Sequence, residues 1–109
     1  MLVAVYGSLK QGRGNHRLLR ESQLKGVTRT SPEWTMYSMY AFPGIVPEGN
    51  TAIKVEVYEV NVDTFARLDM LEGYPSFYDR KEIATEYGDA WIYYLDECDS
   101  SEVVESGVW

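Results

Sequence analysis

One segment, residues 61–73, has the pattern of a regular α-helix, and most of the strand-like segments follow one another without a helix between them. Asn61 can cap the N-terminus of this helix, and Gly73 can take the left-handed conformation at its C-terminus. A doubly wound sheet needs a helix after nearly every strand, so the order of elements excludes that fold. The sequence instead predicts an α+β domain in which short strands form a curled sheet or barrel with two helices against it.

The strands are predicted from short runs of apolar and aromatic residues and from runs in which apolar and polar residues alternate. A short helix is predicted after residue 15, because Asn15 can cap it and Leu18, Leu19 and Leu24 give it an apolar face. Residues 48–50 are typical of a turn. The predicted strands cover 1–5, 27–30, 34–40, 53–60, 78–85 and 90–95, and the last two form a hairpin around 87–89. Residues 42–47 are predicted to be an extended segment bounded by prolines.

The length and composition of the chain predict a single domain over residues 1–109. A chain of 109 residues lies near the lower end of the usual domain size, and 45% hydrophobic residues are enough for a core. The last segment, 96–109, is acidic and rich in serine but ends in Trp109. We expect this tail to pack against the body of the domain, because a terminal tryptophan is costly to leave in water.

The charge and the hydropathy of the chain narrow the classes of partner. Its formal net charge is −7, whereas general nucleic-acid binding requires a basic surface, so no nucleic-acid partner is expected. No apolar run approaches the roughly 20 residues of a membrane-spanning helix, so no membrane partner is expected. A single cysteine fits a reducing compartment, and the expected location is cytoplasmic. The sequence leaves the oligomeric state open.

A glycine-rich loop follows the first predicted strand, and three glycines fall within residues 7–14. A strand that ends in such a loop exposes backbone N–H groups, which can bind an anion or a carbonyl oxygen. An ordinary turn gives the same pattern. Ser8 and the only histidine, His16, also admit a serine hydrolase, but their spacing does not establish a catalytic pair. A hydrogen-bonding role for Ser8 within the loop fits the pattern better.

Glu72 is the candidate acid/base residue on the predicted helix. Phe65, Leu68 and Glu72 are spaced by three and four residues, so the carboxylate lies on the apolar stripe, whereas Arg67 and Asp69 are expected to be exposed. Burial and the helix dipole would both raise its pKa, as a general acid/base near neutral pH requires. The position is equally consistent with a carboxylate that points into solvent.

Other reactive groups are less informative. Cys98 lies between acidic residues, which raise the pKa of a thiol, so it is expected to be a poor nucleophile. With one histidine and one cysteine the chain has no recognisable zinc site, and neither a metal nor a cofactor is expected.

Two motifs of the sequence are distinctive in combination. They are Tyr6-Gly7-Ser8-Leu9 with Gly14-Asn15-His16 after it, and Leu71-Glu72-Gly73-Tyr74-Pro75-Ser76-Phe77-Tyr78-Asp79-Arg80. Together they resemble the signatures of the gamma-glutamylcyclotransferase-like family, and the resemblance is nearest to the gamma-glutamylamine cyclotransferase and YtfP-like branch. It covers roughly residues 1–95 and implies a small mixed β-barrel flanked by helices, in agreement with the α+β pattern.

The resemblance implies an enzyme that acts on a small gamma-glutamyl amine or peptide and releases 5-oxoproline and a free amine, without a cofactor. Glu72 is then the general acid/base, Tyr78 lies beside the pocket and Asn15 braces the loop. The gamma-glutamyl group is bound, mainly through backbone atoms, by Tyr6, Gly7, Ser8 and Leu9.

Two points leave alternatives open. Many family members have a glycine where this chain has Val55, and the added side chain is expected to narrow the pocket. A fold does not fix a function, so a non-catalytic module that binds a small metabolite or a protein on the same fold is the alternative.

Overall fold

Seven strands and one α-helix form the body of the molecule in a computed structural model that describes residues 1–109. A single turn of 3₁₀-helix, His16–Leu19, follows the first strand. The elements in chain order are β1 (Leu2–Val5), β2 (Gln23–Arg29), β3 (Trp34–Met39), β4 (Phe42–Thr51), β5 (Lys54–Glu59), α1 (Val62–Glu72), β6 (Asp79–Thr85) and β7 (Gly88–Tyr94).

The strands form two sheets. Five of them pair in the order β2-β5-β1-β7-β6, with β1 antiparallel to β5 and parallel to β7, and β3 pairs with β4 in a separate two-stranded sheet. The predicted α+β class with a curled sheet is confirmed. The strands do not close into a barrel, however, because β3 and β4 form their ladder only with each other and leave β2 and β6 as edge strands.

The central strand β1 separates two groups of core side chains. Successive side chains of a strand point to opposite faces, so Val3 and Val5 lie on one face and Ala4 on the other. The first face packs against α1, whose Leu68 is fully buried there. The second face packs against the β3–β4 sheet through residues such as Met36. The fold thus holds α1 and the β3–β4 sheet on either side of β1.

Both predicted caps of α1 are confirmed. The Asn61 side chain accepts a hydrogen bond of 2.8 Å from the backbone N–H of Thr64. Gly73 has a φ of 65° and its N–H bonds the carbonyls of the last helical turn, as a left-handed C-terminal residue does. These two residues fix where the helix ends, and therefore where Glu72 lies.

Two local predictions are wrong because strand pairing overrides local preference. The helix after Asn15 is only a 3₁₀ turn, Asn15 forms no side-chain cap, and Leu24 lies in β2 opposite Tyr58 of β5. The predicted turn at 48–50 lies within β4, in a bulge where the pairing with β3 shifts register.

The C-terminal segment runs along β3 after β7 has ended. The N–H of Ser38 donates to the carbonyl of Glu102, and the N–H of Val104 donates to the carbonyl of Met36, both at 2.8 Å. Trp109 packs against the core face that carries the β3–β4 sheet. The only α-helix has eleven residues, and no helix has both the length and the apolarity needed to cross a membrane.

Candidate active site

A cavity of about 310 Å³ opens where the loop after β1, the start of β4 and the last turn of α1 meet the segment before β6. Its volume lies at the lower end of the range for small-ligand sites, and its lining is mostly hydrophobic, as in such sites. Every site residue predicted from the sequence lines this cavity, namely Tyr6, Gly7, Ser8, Leu9, Asn15, Glu72 and Tyr78.

The loop after β1 is held by hydrogen bonds within itself. The carbonyl of Gly7 accepts from the N–H of Lys10 at 3.1 Å, and the carbonyl of Ser8 accepts from the N–H of Asn15 at 3.0 Å. The Asn15 side-chain amide also donates to the Ser8 hydroxyl at 2.9 Å. Gly7, Ser8 and Leu9 line the cavity, and their three N–H groups donate to no protein acceptor.

Gly7 lies against Pro43 at the start of β4. A Cβ atom built on Gly7 would lie 2.9 Å from Cγ of Pro43, closer than carbon atoms approach in folded proteins. The φ angle of Gly7 is not in the left-handed region, so the close approach of β4, and not the backbone conformation, requires glycine here.

Glu72 is the only carboxylate that lines the cavity. It is the last residue of α1, and burial raises its pKa to about 7. Its side chain forms no hydrogen bond with the protein, so both carboxylate oxygens are available to a ligand. A carboxyl group with this pKa exchanges a proton readily near neutral pH.

Three tyrosines line the cavity together with Glu72, namely Tyr6, Tyr78 and Tyr93. Burial is the main cause that raises the pKa of Tyr6, Tyr78 and Tyr93, and the charge of Glu72 contributes to each. All three hydroxyls therefore stay protonated at neutral pH. Each hydroxyl donates a hydrogen bond to the protein. The acceptors are the carbonyl of Tyr93 for Tyr6 (2.7 Å), the carbonyl of Pro43 for Tyr78 (2.6 Å) and the carboxylate of Asp69 for Tyr93 (2.7 Å).

The expected exposure of Asp69 is wrong. Its carboxylate accepts hydrogen bonds from the Tyr93 hydroxyl and from the Arg80 guanidinium, at 3.0 Å from Nε and 3.3 Å from Nη2. The bonds connect α1 to β6 and β7 one helical turn before Glu72. Asp69, Arg80 and Tyr93 were missed as supporting residues, because sequence spacing on the helix does not indicate which strand faces it.

The Arg80 guanidinium is enclosed by aromatic rings. Cations are attracted to the faces of such rings, and stacking of this kind restricts the side chain to one position. The central carbon of the guanidinium lies 4.6 Å from the ring centre of Phe65, 4.1 Å from that of Tyr74 and 4.5 Å from that of Trp91. The last turn of α1 is thereby fixed against the sheet.

Ser8 and His16 do not form a catalytic pair. Nδ1 of His16 lies 2.9 Å from the carbonyl oxygen of Leu9, and the ring packs against Tyr58, while the Ser8 hydroxyl bonds Asn15. Cys98 lies outside this cavity, with its sulfur 3.5 Å from that of Met39. No group of three or more histidine, cysteine, aspartate or glutamate side chains is arranged to hold a metal ion.

We predict that Ser8→Ala keeps activity within about tenfold of the native chain, because one neutral hydrogen bond contributes about 1 kcal/mol. Asn15→Ala is the matched variant, since it removes the same bond from the other side. The double variant should lose little more than either single one in steady-state kinetics. Complete inactivation by Ser8→Ala, with an acyl group trapped on the native serine, would instead support a hydrolase.

Val55 does not narrow the cavity. It is fully buried in the core face that packs against β3 and β4, and it is not part of the cavity lining. The expectation that this residue changes the pocket directly is therefore wrong.

The full length of the chain matches known proteins of one family. The family model for gamma-glutamyl cyclotransferase, AIG2-like, matches residues 3–109. A Vibrio cholerae relative is 44% identical over 109 residues, which cover 99% of this chain and 94% of that protein. Gamma-glutamylcyclotransferase family protein YtfP of Escherichia coli is 38% identical over 110 residues, with 100% of this chain and 96% of YtfP covered.

Solved structures show the same architecture. The solution structure of Escherichia coli ytfP matches with a TM-score of 0.81 at 36% identity, over 100% of this chain and 96% of that one. The crystal structure of an uncharacterised Pyrococcus horikoshii protein matches with a TM-score of 0.88 at 30% identity, over 99% and 88%. This chain belongs to the AIG2-like gamma-glutamylcyclotransferase family, as its two motifs predicted.

Proposed function

We propose that the protein is a gamma-glutamylcyclotransferase that converts a gamma-glutamyl amine or peptide into 5-oxoproline and a free amine. The observation that carries the proposal is the position of Glu72. Its carboxylate has a pKa of about 7, bonds no protein donor and shares one cavity with three unpaired backbone N–H groups.

The reaction is an intramolecular aminolysis. The α-amine of a gamma-glutamyl amide can reach its own γ-carbonyl carbon, and attack there closes a five-membered lactam. A cavity that holds the folded conformer contributes much of the rate, because well-oriented intramolecular attack reaches effective molarities of about 10⁵ M or more. No group besides the substrate is consumed.

Glu72 moves the protons. As a carboxylate it takes a proton from the attacking nitrogen, and as a carboxylic acid it gives a proton to the leaving nitrogen when the amide C–N bond breaks. An α-ammonium group that becomes the lactam N–H loses two protons, and the leaving amide nitrogen that becomes an ammonium gains two. The balance needs no external acid or base.

The loop and Tyr78 bind the reacting group. The N–H groups of Gly7, Ser8 and Leu9 are suited to hold the α-carboxylate or the negative charge that develops on the γ-carbonyl oxygen. The Tyr78 hydroxyl already donates to the carbonyl of Pro43, so it can offer a ligand in the cavity only an acceptor oxygen. Such an acceptor in the same cavity as Glu72 is suited to the α-ammonium group.

We predict that the purified protein releases 5-oxoproline and free amine in equal amounts from gamma-glutamyl amides, as measured by mass spectrometry. The matched control is the same amide with its α-amine acetylated, which cannot cyclise and should release nothing. Release of glutamate would indicate hydrolysis instead. Binding without release of either product would favour a non-catalytic binding module.

A further inference from the structure

The residues that line the cavity differ in exposure. Its buried end is formed by Tyr6 and Tyr78, which are only 7% and 6% exposed. Its exposed rim is formed by Phe42, Leu71 and Phe77, which are 39%, 40% and 53% exposed, and we call these three residues the apolar mouth. If the gamma-glutamyl group occupies the buried end, the leaving amine extends toward the apolar mouth.

The aromatic rings of the mouth form one continuous wall with the buried end. Phe42 and Phe77 are in edge-to-face contact, with ring centres 6.2 Å apart, and Phe77 contacts Tyr78 with ring centres 4.9 Å apart. Clustered exposed apolar side chains beside a cavity are typical of a binding surface. The wall therefore continues the catalytic cavity to its outer surface.

The charges around the mouth disfavour an anion. No lysine or arginine lines the cavity, and its one charged residue is Glu72. On the far side of Phe77 a second cavity is lined by Glu97, Asp99 and Glu102. A carboxylate on the leaving group would find no cation and would face like charges, which is costly where water is partly excluded.

On the basis of the proposed function, we propose that the apolar mouth binds the leaving amine and selects gamma-glutamyl amides of uncharged apolar amines over gamma-glutamyl dipeptides. The leaving group of a dipeptide carries a carboxylate, whereas that of an aryl-alkyl amide does not. The bond changes are those of the cyclisation: the new lactam C–N bond forms and the amide C–N bond breaks. The leaving nitrogen gains the two protons that the α-ammonium group loses, and Glu72 delivers a proton to it as the amide bond breaks.

Three substrates separate the contributions of the ring and the charge. Gamma-glutamyl-2-phenylethylamide should exceed gamma-glutamyl-ethylamide in kcat/KM by roughly 10- to 100-fold, because only the first reaches the aromatic wall. It should exceed gamma-glutamyl-phenylalanine, which adds only the carboxylate, by at least about tenfold. Equal values for all three, or a preference for the dipeptide, would overturn the proposal.

Variants of Phe77 test whether the apolar mouth causes the preference for the phenylethylamide. Phe77→Ala should reduce the ratio of kcat/KM between the phenylethylamide and the ethylamide to within about threefold of unity, and Phe77→Leu should keep an intermediate ratio. Met70→Ala is the control, because Met70 is 83% exposed on α1 and lies outside the cavity. A ratio unchanged by Phe77→Ala would overturn the assignment of the site.

A binding measurement separates this proposal from the proposed function. Calorimetric titration of the Glu72→Gln variant with the same three compounds tests selection without turnover. The native preference should reappear in the Kd values, since the mouth is intact. Failure of the native chain to release 5-oxoproline, with the Kd preference present, would overturn the activity and retain the binding site. Kd values without a preference would overturn the site.

Discussion

Glu72→Gln should lower turnover by about 10²–10⁴-fold, the usual contribution of a general acid/base. The amide has nearly the size of the carboxyl group but cannot carry a proton. Because the three free backbone donors belong to the loop after β1, binding of 5-oxoproline should persist. Steady-state kinetics and calorimetric titration with 5-oxoproline measure the two effects separately.

The pH dependence provides the control for this substitution. Burial raises the pKa of Glu72 from 4.5 to about 7, so kcat/KM of the native chain should rise with pH through about 7, as the carboxylate forms. This part of the profile should be absent from the residual activity of Glu72→Gln. Turnover of the variant within a few-fold of native would contradict the assigned role.

Stability gives a second control, with a sign fixed by proton linkage. Between pH 4.5 and about 7 the folded chain holds the Glu72 proton more tightly than the unfolded chain. The free energy of unfolding therefore falls as pH rises through this interval. The Glu72→Gln variant has no carboxyl group to titrate at this position, so its free energy of unfolding does not fall in this way. The difference in free energy of unfolding between the variant and the native chain should therefore shift in favour of the variant as pH rises. Lost activity at retained or increased stability cannot come from unfolding.

Local sequence rules predicted the parts of the site that lie within one element. The caps Asn61 and Gly73 set the ends of α1, and the spacing of Leu68 and Glu72 placed the carboxylate on the packed side of the helix. Such features depend on residues three or four positions apart. The short hairpin between β6 and β7 was predictable for the same reason.

Contacts between distant segments were not predictable from local patterns. Asp69 bonds Arg80 and Tyr93, which lie 11 and 24 residues further along the chain. On the helix alone, Asp69 is one of several polar positions. Likewise, no local pattern shows that β3 and β4 form a sheet separate from the other five strands. The family resemblance implied a barrel, whereas the structure has two sheets.

The candidate site combines segments that the fold brings together. The loop after β1 supplies backbone donors, α1 supplies Glu72, and β4 supplies Pro43 against Gly7. The resemblance named the first two and did not include Pro43. The contact of Pro43 with Gly7 is therefore visible only in the fold, where β4 lies beside the loop.

Gly7→Val should reduce kcat/KM by about 10²-fold, because a side chain here must displace either Pro43 or the loop. Its Cβ would lie 2.9 Å from Pro43, and a shift of about 1 Å in a reacting group costs roughly that factor. The overpacking should also lower the free energy of unfolding by about 1–3 kcal/mol. Denaturant titration and 5-oxoproline release measure these two changes.

Gly14→Val is the matched control, since Gly14 belongs to the same loop but has no atom within 4 Å of a built Cβ and no left-handed φ. Its effect on stability should stay within about 0.5 kcal/mol. Gly7→Ala, which adds the Cβ alone, should fall between the two valine variants in kcat/KM. Native activity in both Gly7 variants would show that the loop binds the substrate without the close contact to Pro43. In that case displacement of the loop N–H groups would leave catalysis unchanged. That outcome would contradict a site in which fixed backbone N–H groups bind the reacting group.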